Sequence, residues 1–363
     1  MICHGDFSNA FISVDDENEI ELCSIKANGT EFTESFLFDC DCGDQIIGSD
    51  VLTVEIKNCN LFNCVRFMIL NENVESGDIT IENCSIIQND ISDELIEYID
   101  QIDDPEFYMF GSDCPDEDFD GSVSIKNITV YERENQIYKQ HYFSLYHAHI
   151  ESSAFINAMY CISGASAIYN CLFNNCQKVI DGLSVLNLSL IGTCQFINCS
   201  DYIIDGGFSE TTIRNCDFYN LRIFSAEDYY ESKTAIELGL ASDISDCRFN
   251  GISASGKGSF LISCCCTPND KKSLSPIAIQ DCSFQNCMTH SGNGDIDDFI
   301  FNEEIRSTFR KKEFAINICD CEGLENLDKE GDTAENYTIR YEDENGERIG
   351  CDMDIDSIMA EFA

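Results

Sequence analysis

The sequence is poor in several residue types, and each shortage excludes a class of structure or partner. It has no tryptophan, 4 prolines and 21 lysines and arginines in 363 residues. Its 67 acidic residues give a formal charge of −46, which disfavours nucleic acid and anionic membranes and favours divalent cations and basic partners. No run approaches the ~18–20 apolar residues of a membrane span, and the first residues lack the basic and apolar segments of a signal peptide. We therefore expect a cytoplasmic location, with a surface or secreted one as the alternative.

What the sequence does contain is an internal repeat. The stretch 168–176, Ile-Tyr-Asn-Cys-Leu-Phe-Asn-Asn-Cys, returns at 191–199 as Ile-Gly-Thr-Cys-Gln-Phe-Ile-Asn-Cys. Isoleucine stands three residues before each anchor position, and a bulky apolar side chain follows two residues after it in all but the last copy. The anchors are Cys23, Cys59, Cys84, Ile128, Ser153, Cys171, Cys194, Cys216, Cys247, Cys282 and Cys319. Units of roughly 20–25 residues with added loops are typical of a solenoid.

The spacing within a copy predicts three short strands and three corners. The anchor and the residue two positions later share one face of a strand, but the isoleucine at minus three is out of phase with that face. Asparagine or aspartate stands at the break in most copies, as at Asn58, Asn170 and Asp246, and both tolerate the left-handed backbone region. A second asparagine, such as Asn175, marks another corner before a short apolar strand. The pattern predicts a parallel β-helix with inward ladders of isoleucine, cysteine and phenylalanine and asparagine ladders at the corners.

The Ile-x-Asn-Cys-x-Phe-x-Asn-Cys copies extend from about Ile20 to Cys321. They resemble right-handed parallel β-helix proteins of the pectate-lyase-like superfamily, and within it the cysteine- and asparagine-rich repeat proteins of parasitic protists. We expect an all-β, right-handed solenoid of about 10–12 coils with loop insertions and a C-terminal cap. The expected β-helix covers residues 1–322, with a capping coil at about 1–34 and an acidic insertion at about 90–121; residues 323–363 form the acidic cap.

The 23 cysteines admit two interpretations. Thirteen of them occupy repeat positions, where a small apolar side chain suits an inward ladder as a plain thiol. Stacked neighbours about 4.8 Å apart also come near disulfide geometry, although a strict ladder does not require a bond. The sequence leaves the redox state open, and reduced thiols go with the cytoplasmic location.

The candidate metal ligands with the best spacing are Asp116, Asp118 and Asp120. They belong to a D-x-D-x-D-G string whose alternate carboxylates suit calcium, and the glycine permits a sharp turn. A complete calcium loop has glutamate at its twelfth position, but here that position is Asn127, which the repeat assigns to a corner. Calcium is therefore the one cofactor hypothesis, and a solvated acidic loop is its alternative.

Two other clusters carry metal-ligating side chains. His147 and His149 occupy alternate positions of a predicted strand and would point the same way towards a transition metal, with His141 nearby. No cysteine or carboxylate follows at ligand spacing, so a chance grouping is the better interpretation. The cysteines at 264–266 lie in a predicted loop, where adjacent residues do not comfortably ligate one ion, which favours lone thiols.

Two function classes compete. One is a non-catalytic β-helix scaffold that engages a protein or glycan partner, and the other is a polysaccharide lyase or glycoside hydrolase, which the resembled superfamily contains. The arginines of the regular coils do not recur in one register, and so negative a chain repels acidic polysaccharides. We favour the scaffold and assign no catalytic or cofactor-binding residue. Asp181 and Asp205 are the first acids to inspect in an enzyme, although both also suit turns before glycine. The partner and any end-to-end association stay open.

Overall fold

The computed structural model describes part of the chain, and every regular element in that part is a β-strand. The described residues are 2–3, 7–8, 24–33, 38–40, 52–64, 67–70, 77–89, 107–112, 121–133, 140–181, 189–206, 210–224, 233–238, 242–255, 259–264, 277–289, 316–319 and 321–322. The chain divides into two compact units, Met1–Leu186 and Asn187–Ala363.

Strands β1 to β18 belong to unit 1. They are β1 (Ile2–Cys3), β2 (Phe7–Ser8), β3 (Ser24–Asn28), β4 (Glu31–Thr33), β5 (Phe38–Cys40), β6 (Leu52–Lys57), β7 (Asn60–Phe62), β8 (Met68–Leu70), β9 (Gly77–Glu82), β10 (Ser85–Gln88), β11 (Phe107–Ser112), β12 (Ser122–Lys126), β13 (Thr129–Glu132), β14 (Gln140–Glu151), β15 (Ala154–Ile156), β16 (Tyr160–Tyr169), β17 (Leu172–Asn174) and β18 (Lys178–Asp181).

Strands β19 to β33 belong to unit 2. They are β19 (Ser189–Gly192), β20 (Gln195–Ile197), β21 (Ile204–Asp205), β22 (Thr211–Arg214), β23 (Asp217–Tyr219), β24 (Arg222–Phe224), β25 (Lys233–Leu238), β26 (Asp243–Ser245), β27 (Arg248–Asn250), β28 (Ser253–Ser255), β29 (Ser259–Cys264), β30 (Ile277–Gln280), β31 (Ser283–Gln285), β32 (Met288–Thr289) and β33 (Ile316–Cys319).

The strands of unit 1 stack in three rows of parallel neighbours. Row 1 precedes the anchor and contains β1, β3, β6, β9, β12 and the ends of β14 and β16. Row 2 follows the anchor and contains β2, β4, β7, β10, β13, β15 and β17. Row 3 contains β5, β8, β11, the beginnings of β14 and β16, and β18. Three rows of parallel strands confirm the predicted β-helix.

Unit 2 repeats the first two rows. Its row 1 contains β19, β22, β26, β30 and β33, and its row 2 contains β20, β23, β27 and β31. Beyond the second corner, β21, β25 and β29 pair with one another, and so do β24, β28 and β32. Handedness stays a prediction, and the expected cap at 323–363 lies outside the described residues.

The predicted left-handed corners are confirmed. Between rows 1 and 2, positive φ angles of 52–55° occur at Asn58, Asn83, Asn127, Asn170, Asn215, Asp246 and Asp281, and Ser152 and Thr193 take the same place in their coils. At the second corner, φ angles of 50–60° occur at Asn63, Asn157, Asn175, Asn198, Asn220 and Asn286. The amides form ladders, since Asn83 Nδ2 donates to Asn58 Oδ1 at 3.3 Å and Asn127 Nδ2 donates to Asn83 Oδ1 at 3.0 Å.

Isoleucine and phenylalanine fill the interior in separate ladders. In row 1, the isoleucines whose burial the structure describes are buried, and so are the aromatic side chains at the second position of the row 2 strands. In unit 2, the rings of Phe196, Phe218, Phe249 and Phe284 stack at centroid distances of 4.8 Å with interplanar angles of 4–6°. This spacing equals that of neighbouring strands, about 4.8 Å. The ring contacts therefore fix which residue of one coil stands above which residue of the next.

The structure corrects two anchors, one near each end of the repeat. In the coil assigned to Cys23 the anchor is Thr30, because β4 follows it and pairs with β7. In the last coil, Cys319 is the register partner of Gln280. The anchor of the preceding coil, Cys282, lies two residues after Gln280, so the anchor of the last coil lies two residues after Cys319 and is Cys321. The Cys321 thiol also lies 3.6 Å from Ile279 O, as the Cys282 thiol lies 3.7 Å from Ile244 O.

One strand of row 3 lies inside a segment that was expected to leave the stack. Residues 107–112, inside the expected acidic insertion at 90–121, form β11, which pairs with β8 and β14. The chain therefore returns to the stack in the middle of that segment.

Two buried polar side chains stand where row 2 lacks a left-handed second corner. Gln88 and Glu132 are register partners at the ends of β10 and β13, and they are 1% and 3% exposed. Gln88 Nε2 donates to the carbonyl of Cys64, and Glu132 Oε2 accepts from Met159 N at 3.2 Å and from Tyr142 Oη at 3.1 Å. Side chains thus satisfy backbone groups that an uninterrupted ladder would pair with other backbone groups.

The outward column next to the first corner of row 1 alternates in charge. Lys57, Glu82, Lys126 and Glu151 are successive register partners in β6, β9, β12 and β14. Lys126 Nζ lies 2.9 Å from Glu151 Oε2, and both side chains are more than 40% exposed. In a chain with so few basic residues, this column places opposite charges on neighbouring coils.

Candidate functional site

The outward face of row 2 in unit 1 carries no charged side chain from β7 to β17. Each of these five strands turns its second residue inward and its first and third residues outward. The ten outward residues are Asn60, Phe62, Ser85, Ile87, Thr129, Tyr131, Ala154, Ile156, Leu172 and Asn174. We call this set the neutral face.

The neutral face has an apolar column beside a mainly polar one. Phe62, Ile87, Tyr131 and Ile156 are successive register partners on four neighbouring strands. Tyr131 is 40% exposed, the one large apolar side chain above the half-buried range among the described residues. In the other column, Ser85 Oγ donates to Asn60 Oδ1 at 2.6 Å. The two columns together offer apolar contact and hydrogen-bonding groups to one ligand.

The corresponding surfaces elsewhere are charged. Row 1 of unit 1 carries the alternating lysine and glutamate column described above. In row 2 of unit 2, the outward position occupied by Ser85 and Thr129 in unit 1 holds Asp217 and Arg248, whose Oδ2 and Nη2 are 2.6 Å apart. The Asp217 carboxylate raises the pKa of the Arg248 guanidinium. A charged pair therefore interrupts the outward face of row 2 in unit 2, whereas the ten outward residues of the five neighbouring strands from β7 to β17 carry no charge.

A second outward cluster lies on row 3 of unit 1, but its rings contact one another. Tyr108, His141 and Tyr160 are successive register partners, and Lys178 follows Tyr160. The His141 and Tyr160 rings stack at 4.1 Å, and Lys178 Nζ lies 5.0 Å from the other face of Tyr160. Both faces of Tyr160 are thus occupied, and His141 is only 9% exposed. This cluster is built to join coils rather than to stack on a ligand.

The metal sites considered in the sequence fall partly outside the described residues. Asp116, Asp118 and Asp120 lie outside the described residues, so calcium stays a hypothesis. His147 and His149 flank the buried Ala148 in a part of β14 where the register shifts, and His147 has a φ of 58°. Among the described residues, no three histidine, cysteine, aspartate or glutamate side chains are placed to hold one metal ion.

The acids and cysteines singled out in the sequence have separate positions. Asp181 ends β18 and is the register partner of Ser163, whereas Asp205 ends β21 and is the register partner of Glu237 in β25. Cys264 ends β29, and residues 265–266 lie outside the described residues. Asp205 and Glu237 therefore form a carboxylate pair on adjacent coils that the sequence alone did not indicate.

Sequence reasoning also missed the neutral face, although its signal is present. In a chain of charge −46, ten outward positions without one charge stand out once they are aligned on the anchors. The alignment has to be correct over more than 100 residues before the column appears, because the coils are separated by loops of unequal length. The sequence repeat identifies the anchors, and the strand pairing in the structure shows which outward residues of successive coils are neighbours.

Within the described residues, no helix has the length and apolar character needed to cross a bilayer. Comparison with known proteins gives no match: no protein-family model, curated protein or solved structure matches this chain.

Proposed function

We propose that this protein is a non-catalytic β-helix scaffold that binds a neutral glycan along the neutral face. The observation that carries the proposal is the uncharged, partly apolar surface of row 2 in unit 1, on a chain of formal charge −46. Exposed apolar surface rimmed by polar groups marks interaction sites. The high negative charge elsewhere would repel an acidic ligand, which favours a neutral one.

The size of the face favours a linear ligand over a globular protein. Five strands at a spacing of about 4.8 Å extend over about 19 Å, and two residues along a strand span about 6.6 Å, for a footprint of about 130 Å². A standard protein interface buries about 800 Å² on each partner. A chain molecule lying parallel to the solenoid axis would fit a long, narrow strip of this size.

The chemistry of the strip suits sugar rings better than an extended peptide. Each of the middle strands of row 2 is already paired on both sides, so a peptide cannot add to them as a further strand. Pyranose rings offer apolar C–H faces to Phe62 and Tyr131, and hydroxyl groups to Asn60 and Thr129. Phe62 and Tyr131 are two strands apart, about 9.6 Å, close to the length of two sugar units in an extended chain.

A specific observation also supports a second candidate, a glycoside hydrolase or polysaccharide lyase of the pectate-lyase-like superfamily. Asp205 and Glu237 are register partners on adjacent coils of unit 2. Neighbouring strands are about 4.8 Å apart, and a retaining glycosidase needs its two carboxyl groups about 5–5.5 Å apart. Membership of that superfamily, and the resemblance to protist repeat proteins, belong to this proposal. Release of reducing ends by the wild type but not by Asp205→Asn would favour it over the scaffold.

The scaffold proposal is tested by measuring binding to a panel of neutral and acidic polysaccharides. The panel is presented as insoluble particles and as an oligosaccharide array. We expect binding to at least one neutral polymer, and weaker binding to acidic ones. Tyr131→Ala should raise Kd about tenfold, equivalent to about 1.4 kcal/mol, and Ile87→Glu should abolish binding by burying a charge against the ligand.

Tyr219→Ala is the matched control. Tyr219 occupies the same place in the repeat as Tyr131, but in row 2 of unit 2 beside the Asp217–Arg248 pair. Its removal should leave Kd unchanged. Equal effects of Tyr131→Ala and Tyr219→Ala, or binding to acidic polymers alone, would refute the proposal.

A further inference from the structure

The neutral face continues into a row of exposed amides at the first corner. Asn58, Asn83 and Asn127 stand two residues before the outward polar residues of β7, β10 and β13, and all three side chains are exposed. We call the corner amides and the polar residues beside them the amide band. It consists of Asn58, Asn60, Asn83, Ser85, Asn127 and Thr129.

The hydrogen bonds between the corner amides use only part of each amide. Asn58 Nδ2 donates to Asn28 Oδ1 at 2.9 Å, and Asn58 Oδ1 accepts from Asn83 Nδ2 at 3.3 Å. Asn83 Oδ1 accepts in turn from Asn127 Nδ2 at 3.0 Å. A carboxamide has two N–H donors and two acceptor lone pairs. The ladder therefore leaves one N–H group and one lone pair of Asn58 and of Asn83 for solvent or a ligand.

The amide band lies beside the apolar column at a distance that one sugar unit can bridge. In each coil the polar and the apolar outward residues are two positions apart along the strand, about 6.6 Å, as Thr129 and Tyr131 are in β13. A sugar ring packed on Tyr131 would therefore place its substituents against the band. Successive coils repeat at about 4.8 Å, so an extended chain places about one sugar unit on each coil.

The chemistry of the band selects among sugars. It carries donors and acceptors but no charge, so it does not compensate a charged group on a ligand. Amides form ladders at the spacing of neighbouring strands, about 4.8 Å, because the donor and the acceptor of an amide are separate atoms. Hydroxyl groups bonded to one another repeat at about 2.8 Å. An acetamido group thus matches the spacing of the coils better than a hydroxyl group does.

We propose that the neutral face binds a polymer of N-acetylated sugar units, whose acetamido groups bond to the amide band while the sugar rings pack on the apolar column. The inference rests on the proposed function, because it names the ligand of the same face. An acetamido N–H donates to the amide of one coil, and its carbonyl accepts from the amide of the next. In an extended β-1,4-linked chain, neighbouring units face opposite sides, so every second acetamido group meets the band and each of these groups serves two coils.

The test compares chitohexaose with cellohexaose by isothermal titration calorimetry on the full-length protein. Both oligosaccharides have a β-1,4-linked backbone and no charge, and they differ in the acetamido group that replaces one hydroxyl group of each unit. We expect the Kd of chitohexaose to be about tenfold lower, which corresponds to the hydrogen bonds of one acetamido group. Tyr131→Ala should weaken the binding of both, because the apolar column contacts either sugar.

Asn83→Gly removes the central corner amide and keeps the corner, because glycine accepts the φ of 55°. An acetamido group contacts Asn83 whether it spans Asn58 and Asn83 or Asn83 and Asn127. The variant should therefore raise the Kd of chitohexaose about tenfold and leave that of cellohexaose unchanged. Asn215→Gly is the matched control, since Asn215 is an exposed corner residue with a φ of 53° in unit 2, outside the neutral face. It should change neither Kd.

Several results would overturn the inference: no binding of chitohexaose, equal affinity of the wild type for the two oligosaccharides, or equal losses in Asn83→Gly and Asn215→Gly. The proposed function survives these results if another neutral polymer binds and Tyr131→Ala weakens that binding. Both fail if no neutral polymer binds. Circular dichroism checks the fold of each variant, and the comparison of the two oligosaccharides on the wild type decides the inference even if Asn83→Gly does not fold.

Discussion

Replacing Glu132 with glutamine should remove a large pH-dependent loss of stability. Burial raises the pKa of the Glu132 carboxyl from 4.5 to about 7, against smaller opposing effects of the hydrogen bonds from Met159 N and Tyr142 Oη. An acid whose pKa is raised by folding stabilises the fold below its unfolded pKa, and that stability is lost as pH rises towards the folded pKa. We expect Glu132→Gln to keep both accepted hydrogen bonds and to carry no charge at any pH.

The size of the effect follows from the shift. A pKa raised from 4.5 to about 7 corresponds to about 3 kcal/mol, most of which is lost between pH 5 and 7. The Gln88 side chain gives a second reason for Glu132→Gln to be more stable than the wild type at high pH. Its Oε1 is buried without a hydrogen-bond partner, and its register partner is residue 132. A glutamine at 132 has an Nε2 donor at every pH, whereas glutamate can donate only when protonated.

The assay is urea denaturation of both proteins from pH 5 to pH 8. The free energy of unfolding of Glu132→Gln minus that of the wild type should rise with pH by up to about 3 kcal/mol and level off above pH 7. Taking the difference removes the pH dependence of the many other carboxylates, which both proteins share. A difference that stays flat, or that falls with pH, would show that Glu132 is ionised in the fold and refute the reasoning.

Glu151→Gln is the control of opposite sign. Lys126 lowers the pKa of the exposed Glu151 carboxyl through a hydrogen bond and charge attraction. A lowered pKa stabilises the fold above the unfolded pKa and loses that stability as pH falls. The unfolded pKa of Glu151 is about 4.5 and the folded one is lower, so the Glu151→Gln difference should stay flat from pH 5 to pH 8. When the assay is extended below about pH 4.5, the difference should rise as pH falls, which is the opposite direction, and this small change should shrink in high salt.

Three further predictions concern the repeat. Gly251→Ala should destabilise more than Gly29→Ala in urea denaturation, because both glycines have φ near +70° but only at Gly251 would a Cβ meet Asn220 Oδ1, at 2.6 Å; equal losses would assign the whole cost, about 1–2 kcal/mol, to the backbone. Phe218→Ala should cost about 3–5 kcal/mol by the same assay, because it opens a cavity between two stacked rings; a loss below 1 kcal/mol would mean that neighbouring coils collapse into the gap. Asn83→Ala should lower Tm more than Asn83→Gly, since glycine accepts the φ of 55° freely; equal effects would assign the cost to the amide ladder instead.

The fold was predictable because the same residues recur at the same structural positions. The break in alternation between two strands requires a residue in the left-handed backbone region. Asparagine tolerates that region, and Asn58 and Asn170 both adopt it. The errors lie where the signature residues are replaced together. In the coil of Thr30, alanine replaces the usual isoleucine at position 27, glycine replaces asparagine at position 29, and threonine replaces cysteine at position 30. The side-chain pattern therefore leads to the wrong anchor, Cys23, whereas the strand pairing identifies Thr30.

The candidate site was less predictable because its properties belong to columns across coils. In the last coil, Cys319 and Cys321 are two residues apart, and each has an isoleucine three residues before it, so the sequence admits two registers that differ by one strand repeat. The neutral face appears only when five successive coils are aligned on their anchors, from Cys59 to Cys171. Single motifs such as His147-Ala148-His149 are easier to see in the sequence, but they do not show which side chains of neighbouring coils lie side by side.

The alternating column of Lys57, Glu82, Lys126 and Glu151 also limits how this solenoid can grow. Deleting one coil from the middle, or duplicating one, would set lysine against lysine or glutamate against glutamate on neighbouring strands, where like charges destabilise pairing. Deleting or duplicating two adjacent coils restores the alternation. We expect homologous chains of different length to differ in this region by even numbers of coils, because only such changes keep opposite charges on neighbouring strands.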